Sequence, residues 1–556
     1  MSESAVTECT DALTDEFYIT TSEHFHHKPS VTDFNNDYFF VVFSKQIAED
    51  VHHIEGVLLK VEEESGIIQK ADDHINLTNL HSVRRHGDAD LSTIDETTFA
   101  ATWVEREQNS VILKVFQISD ERVLQVYDEY VVNDNPDTES HHSSVTSIGA
   151  DKVLVCWNTF NESNHVVHIY GQMLDLWSLT GKSDQGQSVG EISKSGEPFQ
   201  IGKNLTARQF APISVSFDEK IIITWEEETQ NIHGTHVFEI YAQIFQNDGD
   251  TASPLQNLTE PTRISNCYEE IDHHCREGKV IYLEGLGNDF VVTWEQSHQI
   301  QAVVLEYNPT DATIDTISTI FQANLNPVDG ANDTHSDIAH LEKGQFVITW
   351  QSYNQTYGWE IKAQIFDRET VDSDNSPTRI GDEFYANTAN SEEQKSPAIA
   401  HLYNKKFVVV YEKTSEINTN ISDIYTHSFK PSNPANSEIQ DKDVSTNTQW
   451  SYAIDTDGFK AQYGHGLVFS ASLEDDGPLP SWLSFDQSTA TFSGLTPEET
   501  GTFHLKVKAT DEECNNYVTS SFELKNSDLI ISITNPANLF TFSLSLLFFI
   551  LIIFLF

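Results

Sequence analysis

Three stretches of the chain spell almost the same apolar run: "IIITW" at 221–225, "FVVTW" at 290–294 and "FVITW" at 346–350. Weaker copies end at Phe43, Trp103, Trp157 and Tyr411, so the run recurs every 54–69 residues. Self-similarity at such a period means that one supersecondary unit is repeated, and that neighbouring units bury what one unit cannot bury alone. Within "FVITW", Phe346, Ile348 and Trp350 point to one face of a strand and Val347 and Thr349 to the other. Neither face is strongly polar, so the run reads as a strand covered on both sides.

A second apolar run follows each first one, as in "IEGVLL" (54–59), "IYGQML" (169–174), "IYAQIF" (240–245) and "IKAQIF" (361–366). Its third residue is usually small (Gly56, Gly171, Ala242, Ala302, Ala363), which predicts close approach by a neighbouring layer. A shorter segment precedes each pair, as in "PSVTDF" (29–34), "APISVSF" (211–217) and "SPAIAHL" (396–402). A more polar fourth segment closes the unit, as in "DEFYANT" (382–388). Four strand-like runs per repeat, bounded by Gly, Pro, Asn and Asp, predict propeller blades. The seventh unit ends at "IYTHSF" (424–429) with no fourth segment, but "DEFYITT" (15–21) stands spare before the first unit. The expectation is an all-β chain whose residues 12–430 form a seven-bladed β-propeller, its last blade completed by 15–21. An open array of small β-modules is the rival. The repeats resemble β-propeller-type repeats of microbial surface proteins.

Residues 431–446, "PSNPANSEIQDKDVST", read as a polar linker. The next stretch changes pattern, with "LPSWLSFD" at 479–486, "TFSGLTP" at 491–497 and "GTFHLKVKATD" at 501–511. Phe503, Leu505, Val507 and Ala509 alternate as an inward face, with Trp482 as a core plug. These motifs resemble the dystroglycan-type cadherin-like (Ig-like) domain family, which implies a β-sandwich over 447–526 and an adhesion or spacer role. In cadherins the Asp of the "AxD" motif is a calcium ligand, and Asp511 occupies that position. Asp455 and Asp457, in "IDTDGF", offer further oxygen ligands for calcium. A solvated loop carboxylate is the plainer reading of each.

After a spacer at 527–538, residues 539–556 ("LFTFSLSLLFFILIIFLF") run without a charge. The segment suits a membrane anchor, or a GPI-attachment tail behind the small residues Asn526, Ser527 and Asp528. No signal peptide is visible at the start. The location expected is nonetheless the membrane, at the cell surface.

The balance of 32 basic against 86 acidic residues, a formal charge of −54, argues against a nucleic-acid partner. Five cysteines are too few for a disulfide framework. Cys156 reads as a buried thiol, and Cys267 and Cys275 as a loop disulfide or half of a zinc site. No phosphate loop, zinc helix, nucleophile elbow or sialidase Asp-box occurs. Of four His-His pairs (His26-His27, His52-His53, His141-His142, His273-His274), the first and third precede the first strand of their units, and such a rim cluster could bind metal or sense acid pH. Functionless loop histidines are the commoner case. The sequence therefore points to a membrane-anchored surface protein, not an enzyme, that binds or adheres to a protein or glycan, with calcium as its one candidate cofactor. The alternative is a propeller hydrolase or lyase acting on surface glycans, with carboxylates around a central channel.

Overall fold

The computed structural model describes most of residues 10–542; residues 1–9, 79–88, 178–189, 248–254, 268–273, 326–331, 432–438, 460–465 and 543–556 are the longest stretches outside the described set. The chain is all-β, its regular elements being strands apart from short turns of 3-10 helix among the described residues. It divides into two compact units, one comprising Thr10–Arg379 and Glu383–Pro431, the other built on residues from Ser432 onward.

The larger unit consists of sheets of mainly antiparallel, mostly consecutive strands, and the first and last, named sheets 1 and 7 below, are joined in one ten-stranded sheet by a parallel bridge of Phe25 with Ser422. Sheet 1 runs Phe25–Phe34, Tyr38–Ala48, Val51–Val61 and Ile68–Lys70; sheet 2 begins at Asp90–Thr93, sheet 3 at Glu139–Ile148 and sheet 4 at Gln209–Phe217. Sheet 5 begins at Cys275–Tyr282, sheet 6 at Asn332–His340 and sheet 7 at Gln394–His401. The repeated apolar run is the second strand of each sheet, and in sheet 6 every residue from Phe346 to Ile348, with Thr349 and Trp350, is fully buried.

The aromatic-bearing face of each second strand packs on the sheet before it. Phe346, Ile348 and Trp350 meet Ala302 and Val304 of sheet 5, and Phe290, Val292 and Trp294 meet Ile222 and Ile240 of sheet 4. Ile221, Ile223 and Trp225 pack on Leu154 and Ile169 of sheet 3. Phe39, Val41 and Phe43 of sheet 1 pack in turn on Val408 and Val410 of sheet 7. The first strands touch in the same sequence, and that of sheet 7 touches that of sheet 1. Burial of an aliphatic or aromatic side chain is worth about 1.5–3 kcal/mol, so these intersheet faces are the main source of stability.

Sheet 7 takes its outer strands from the N-terminus: Thr10–Ala12 and Phe17–Tyr18 both pair antiparallel with Ser422–Pro431. Glu16 accepts hydrogen bonds from Tyr411 Oη, from Lys413 Nζ at 3.0 Å and from the Thr388 amide at 2.8 Å. Thr20 Oγ1 donates to Asp423 at 2.8 Å.

The small residue of the third strand has a different cause from the one expected. A Cβ on Gly56 would lie 2.4 Å from the Phe40 ring, and one on Gly171 would lie 2.5 Å from the Phe199 ring. Both rings belong to adjacent strands of the same sheet, so the glycine makes room within the sheet and not for a second layer.

The smaller unit is a two-sheet sandwich. One sheet orders Lys442–Ser445, Asn516–Ser527, Gly501–Asp511 and Leu467–Leu473; the other orders Gln449–Ala453, Thr491–Leu495 and Leu483–Asp486. Leu505, Val507, Ala509, Phe492 and Leu524 are its dry centre, and Trp482 packs edge-on against Phe503. The boundary placed at 447 is too late: Lys442–Ser445 pairs parallel with Leu524–Ser527, and Ile439 is buried in the same core. Part of the expected linker thus belongs to the sandwich, and its apolar residues Ile439 and Val444, five apart among polar neighbours, show no strand alternation that would mark it.

Of the apolar tail, residues 539–542 lie in a hairpin of Ile531–Asn535 with Asn538–Phe542, and 543–556 lie outside the described residues. No helix among the described residues is long and apolar enough to cross a membrane.

Candidate functional site

Six first strands share a defect that the sequence pattern did not reveal. Each carries a β-bulge, between His27 and Ser30, His141 and Ser144, Phe210 and Ile213, Arg276 and Lys279, Thr334 and Asp337, and Lys395 and Ala398. The first bulged residue is left-handed in every case: Lys28, His142, Ala211, Glu277, His335 and Ser396 have φ between 44° and 54°. Non-glycine residues enter that region only under constraint. Three of the six are followed by proline (Pro29, Pro212, Pro397), which has no N–H to lose where the ladder is already broken.

The constraint comes from the preceding sheet. Immediately after the repeated aromatic stands Glu226, Glu295, Gln351 or Glu412, and its side chain accepts the amide of the next bulge. Glu226 accepts from the Glu277 N–H at 2.7 Å, Gln351 from Ser396 at 2.9 Å and Glu412 from Lys28 at 3.4 Å; Glu295 accepts from the His335 amide. The repeated Glu or Gln after "TW" and "VY" was visible in the sequence, but its partner lies a whole unit away. Burial raises the carboxyls of Glu226 and Glu412. Burial, reinforced by nearby Glu277, pushes Glu295 up to about 7.

The bulges converge on one cavity of about 430 Å³. Its charges occur in pairs: Arg276 Nη1 lies 3.6 Å from Glu226, His335 Nε2 lies 3.4 Å from Glu277, and Lys279 Nζ lies 4.0 Å from Asp337. Arg276 also stacks on Phe238, 3.7 Å from the ring centre. Asp90 and Asp337 stand at equivalent positions of their strands, opposite Thr102 and Thr349, and each accepts a backbone N–H of the next sheet, from Val145 and Ile399, at 3.0 Å. Water reaches both carboxyls through the cavity, yet protein surrounds them, and burial raises both above the usual carboxylate range.

Of the histidine pairs, His142 lines this cavity. His27 and His52 bond to each other at 3.0 Å, and His26 Nδ1 lies 3.0 Å from the Ser422 carbonyl, at the seam of sheets 1 and 7. His273 lies outside the described residues. Cys267 and Cys275 form a disulfide, which removes the zinc alternative because neither sulfur remains a thiolate. Cys156 is a buried free thiol, its pKa raised by burial.

In the smaller unit, Asp511 is buried at the end of its strand and opposes Leu467 and Asn516. Asp455 is exposed just ahead of the turn Thr456–Gly458, which contains Asp457; the Asp457 side chain lies outside the described set. Among the described residues, the groups of three donors with ligand atoms within 4.8 Å are Glu239 with Cys267 and Cys275, and Glu277 with Glu295 and His335. Asp455 and Asp511 form no such group there.

Residues 433–527 match the family model described as "Putative Ig domain", so the C-terminal module is Ig-like. No curated protein matches the chain. Solved structures similar to it include a Dyadobacter fermentans protein of unknown function, at 10% identity and TM-score 0.39, covering 76% of this chain and 99% of that one. A Penicillium chrysogenum α-L-arabinanase complexed with arabinobiose is similar at 9% identity and TM-score 0.35, over 75% and 97%. A Trypanosoma rangeli sialidase mutant is similar at 9% identity and TM-score 0.36, over 97% and 91%. Similarities this distant carry no chemistry.

Proposed function

We propose that the chain is a surface-displayed binding protein: a closed seven-bladed propeller carrying its ligand site at the bulged mouth of the central channel, followed by a cadherin-like module and a C-terminal anchor. Closure is supported by the cycle of touching first strands and by the N-terminal strands on sheet 7. The observation that carries the binding reading is the convergence of the αL bulges on one cavity lined by paired charges. Cations and carboxylates fixed side by side offer donors and acceptors together, which is what hydroxyl-rich ligands need. A glycan terminus fits that chemistry and that volume.

The carboxylates are also engaged. Asp90, Asp337 and Glu226 each hold a backbone N–H, and a group so committed is better placed to fix charge than to shuttle a proton. Titrating immobilised glycans against the protein tests the reading. Arg276→Ala and Asp337→Asn should each weaken binding about tenfold or more; unchanged binding in both would remove the site from the mouth.

The hydrolase or lyase reading is favoured by one observation: two shielded carboxyls, Asp90 and Asp337, flank Lys279. Release of reducing ends from surface glycans by the native chain, lost in Asp90→Asn, would establish it. Anchoring rests on residues 539–556; shedding from cells by a GPI-cleaving phospholipase separates a lipid anchor from a membrane span. Calcium is proposed at Asp455, Asp457 and Asp511 on the resemblance of the module to cadherins.

A further inference from the structure

The bulged mouth is not the same all the way round. Where sheets 4, 5, 6, 7 and 1 meet in turn, each seam brings together one bulged residue, the bulged residue of the next sheet, and the side chain that follows the repeated aromatic. At the seam of sheets 5 and 6 these are Glu277, His335 and Glu295, and all three can ligate a metal. The seams on either side break the set, with Ala211 beside Glu277 and Ser396 beside His335.

One ligand atom from each of the three lies within 4.8 Å of the other two. His335 Nε2 and Glu277 Oε1 are 3.4 Å apart, a separation that two bonds of about 2.0–2.1 Å to one ion accommodate. The ligands are also held from behind: Glu226 accepts the Glu277 N–H at 2.7 Å, and Glu295 accepts that of His335. Outer contacts of this kind orient the groups that bind a metal. Arg276, opposite Glu295 in the ladder, turns to Glu226 at 3.6 Å and to the Phe238 ring. Three carboxylates against one guanidinium leave a formal surplus of two negative charges, which a divalent cation answers. The other described group of three donors, Glu239 with Cys267 and Cys275, is closed by the disulfide.

We propose that Glu277, Glu295 and His335 hold a divalent transition-metal ion at the seam of sheets 5 and 6. Two carboxylates and one imidazole suit zinc or manganese, whereas calcium takes oxygen ligands. Glu277 and His335 line the cavity, so the remaining positions of the ion open into it and accept water or a ligand hydroxyl. The ion binds whether or not a glycan does, because the donors converge within the chain itself.

The test is uptake of Zn2+ and Mn2+ by metal-stripped, tag-free full-length protein with no glycan present. One equivalent should bind and raise the melting temperature, and X-ray absorption on the zinc-loaded protein should find one imidazole among oxygen ligands. His335→Asn removes the imidazole but keeps a residue that tolerates the left-handed bulge. It and Glu295→Gln should each weaken uptake about a hundredfold, while His142→Asn, on the same mouth, leaves it unchanged. Glu295→Gln should also match or exceed the native chain in stability in chelator and fall behind it in zinc. No stoichiometric uptake, or uptake that survives both variants, would overturn the site and leave the three groups as an ion-paired cluster. Glycan binding that fails while zinc uptake persists would overturn the glycan reading alone.

Discussion

At the scale of the residue, the carboxylates that follow the repeated aromatic hold the molecule's strain in place. Glu295 shows the consequence for pH. Its folded pKa is raised to about 7 from an ordinary 4.5, so its contribution to stability is fully present below pH 4.5 and is lost as pH rises through 7. Glu295→Gln keeps an acceptor for the His335 amide without the charge. It should exceed the native protein in stability by about 1 kcal/mol at pH 8, allowing for solvent screening, with the difference fading toward pH 4.5. Urea unfolding across that range measures it. Gly171→Ala goes the other way: a methyl group 2.5 Å from the Phe199 ring should cost about 1–3 kcal/mol, read as a lower denaturant midpoint. These residues differ in how far the sequence exposes them. Gly171 stands out because its repeat position is small in most copies, although the ring it accommodates comes from a strand whose spacing varies. Glu295 repeats just as plainly, but its meaning depends on a left-handed amide on the next sheet, and no single run displays that.

At the scale of the element, the N-terminal segment decides whether sheet 7 has a raw edge. Residues 10–12 and 17–18 cover the strand Ser422–Pro431, and Glu16 takes three donors, one of them from the buried Lys413. Removing that carboxylate leaves Lys413 with Glu392 alone, so Glu16→Ala should destabilise the larger unit by about 2–4 kcal/mol. Deleting residues 1–20 should expose the edge to other chains and give concentration-dependent association, visible by light scattering. A monomer of native stability would contradict this. The segment was legible because "DEFYITT" shares with "DEFYANT" the outward pattern of a fourth strand. The bulges were not. A bulge is a mismatch of register between two strands, and only Pro29, Pro212 and Pro397 hint at it from within one strand.

At the scale of the whole molecule, the two units have separate hydrophobic centres, and every buried residue of the smaller one's hydrophobic core lies between Ile439 and Leu524. Residues 433–527 should therefore fold alone and melt as one transition, followed by calorimetry. Millimolar calcium should raise that transition if Asp455, Asp457 and Asp511 ligate it, and an unmoved midpoint would remove the metal from this module. The formal charge of −54 adds self-repulsion throughout. Screening it with 0.5 M salt should raise the stability of the full chain.

The pairing of Thr10 with Pro431 also sets an order of events during synthesis. A ribosome makes the covering strand first and its partner last among the sheets, at about 5–20 residues per second. For tens of seconds the first sheet therefore waits with an open flank, its apolar face meeting solvent or a chaperone. The last sheet is one that the nascent chain cannot finish by growing, only by coming back to where it began.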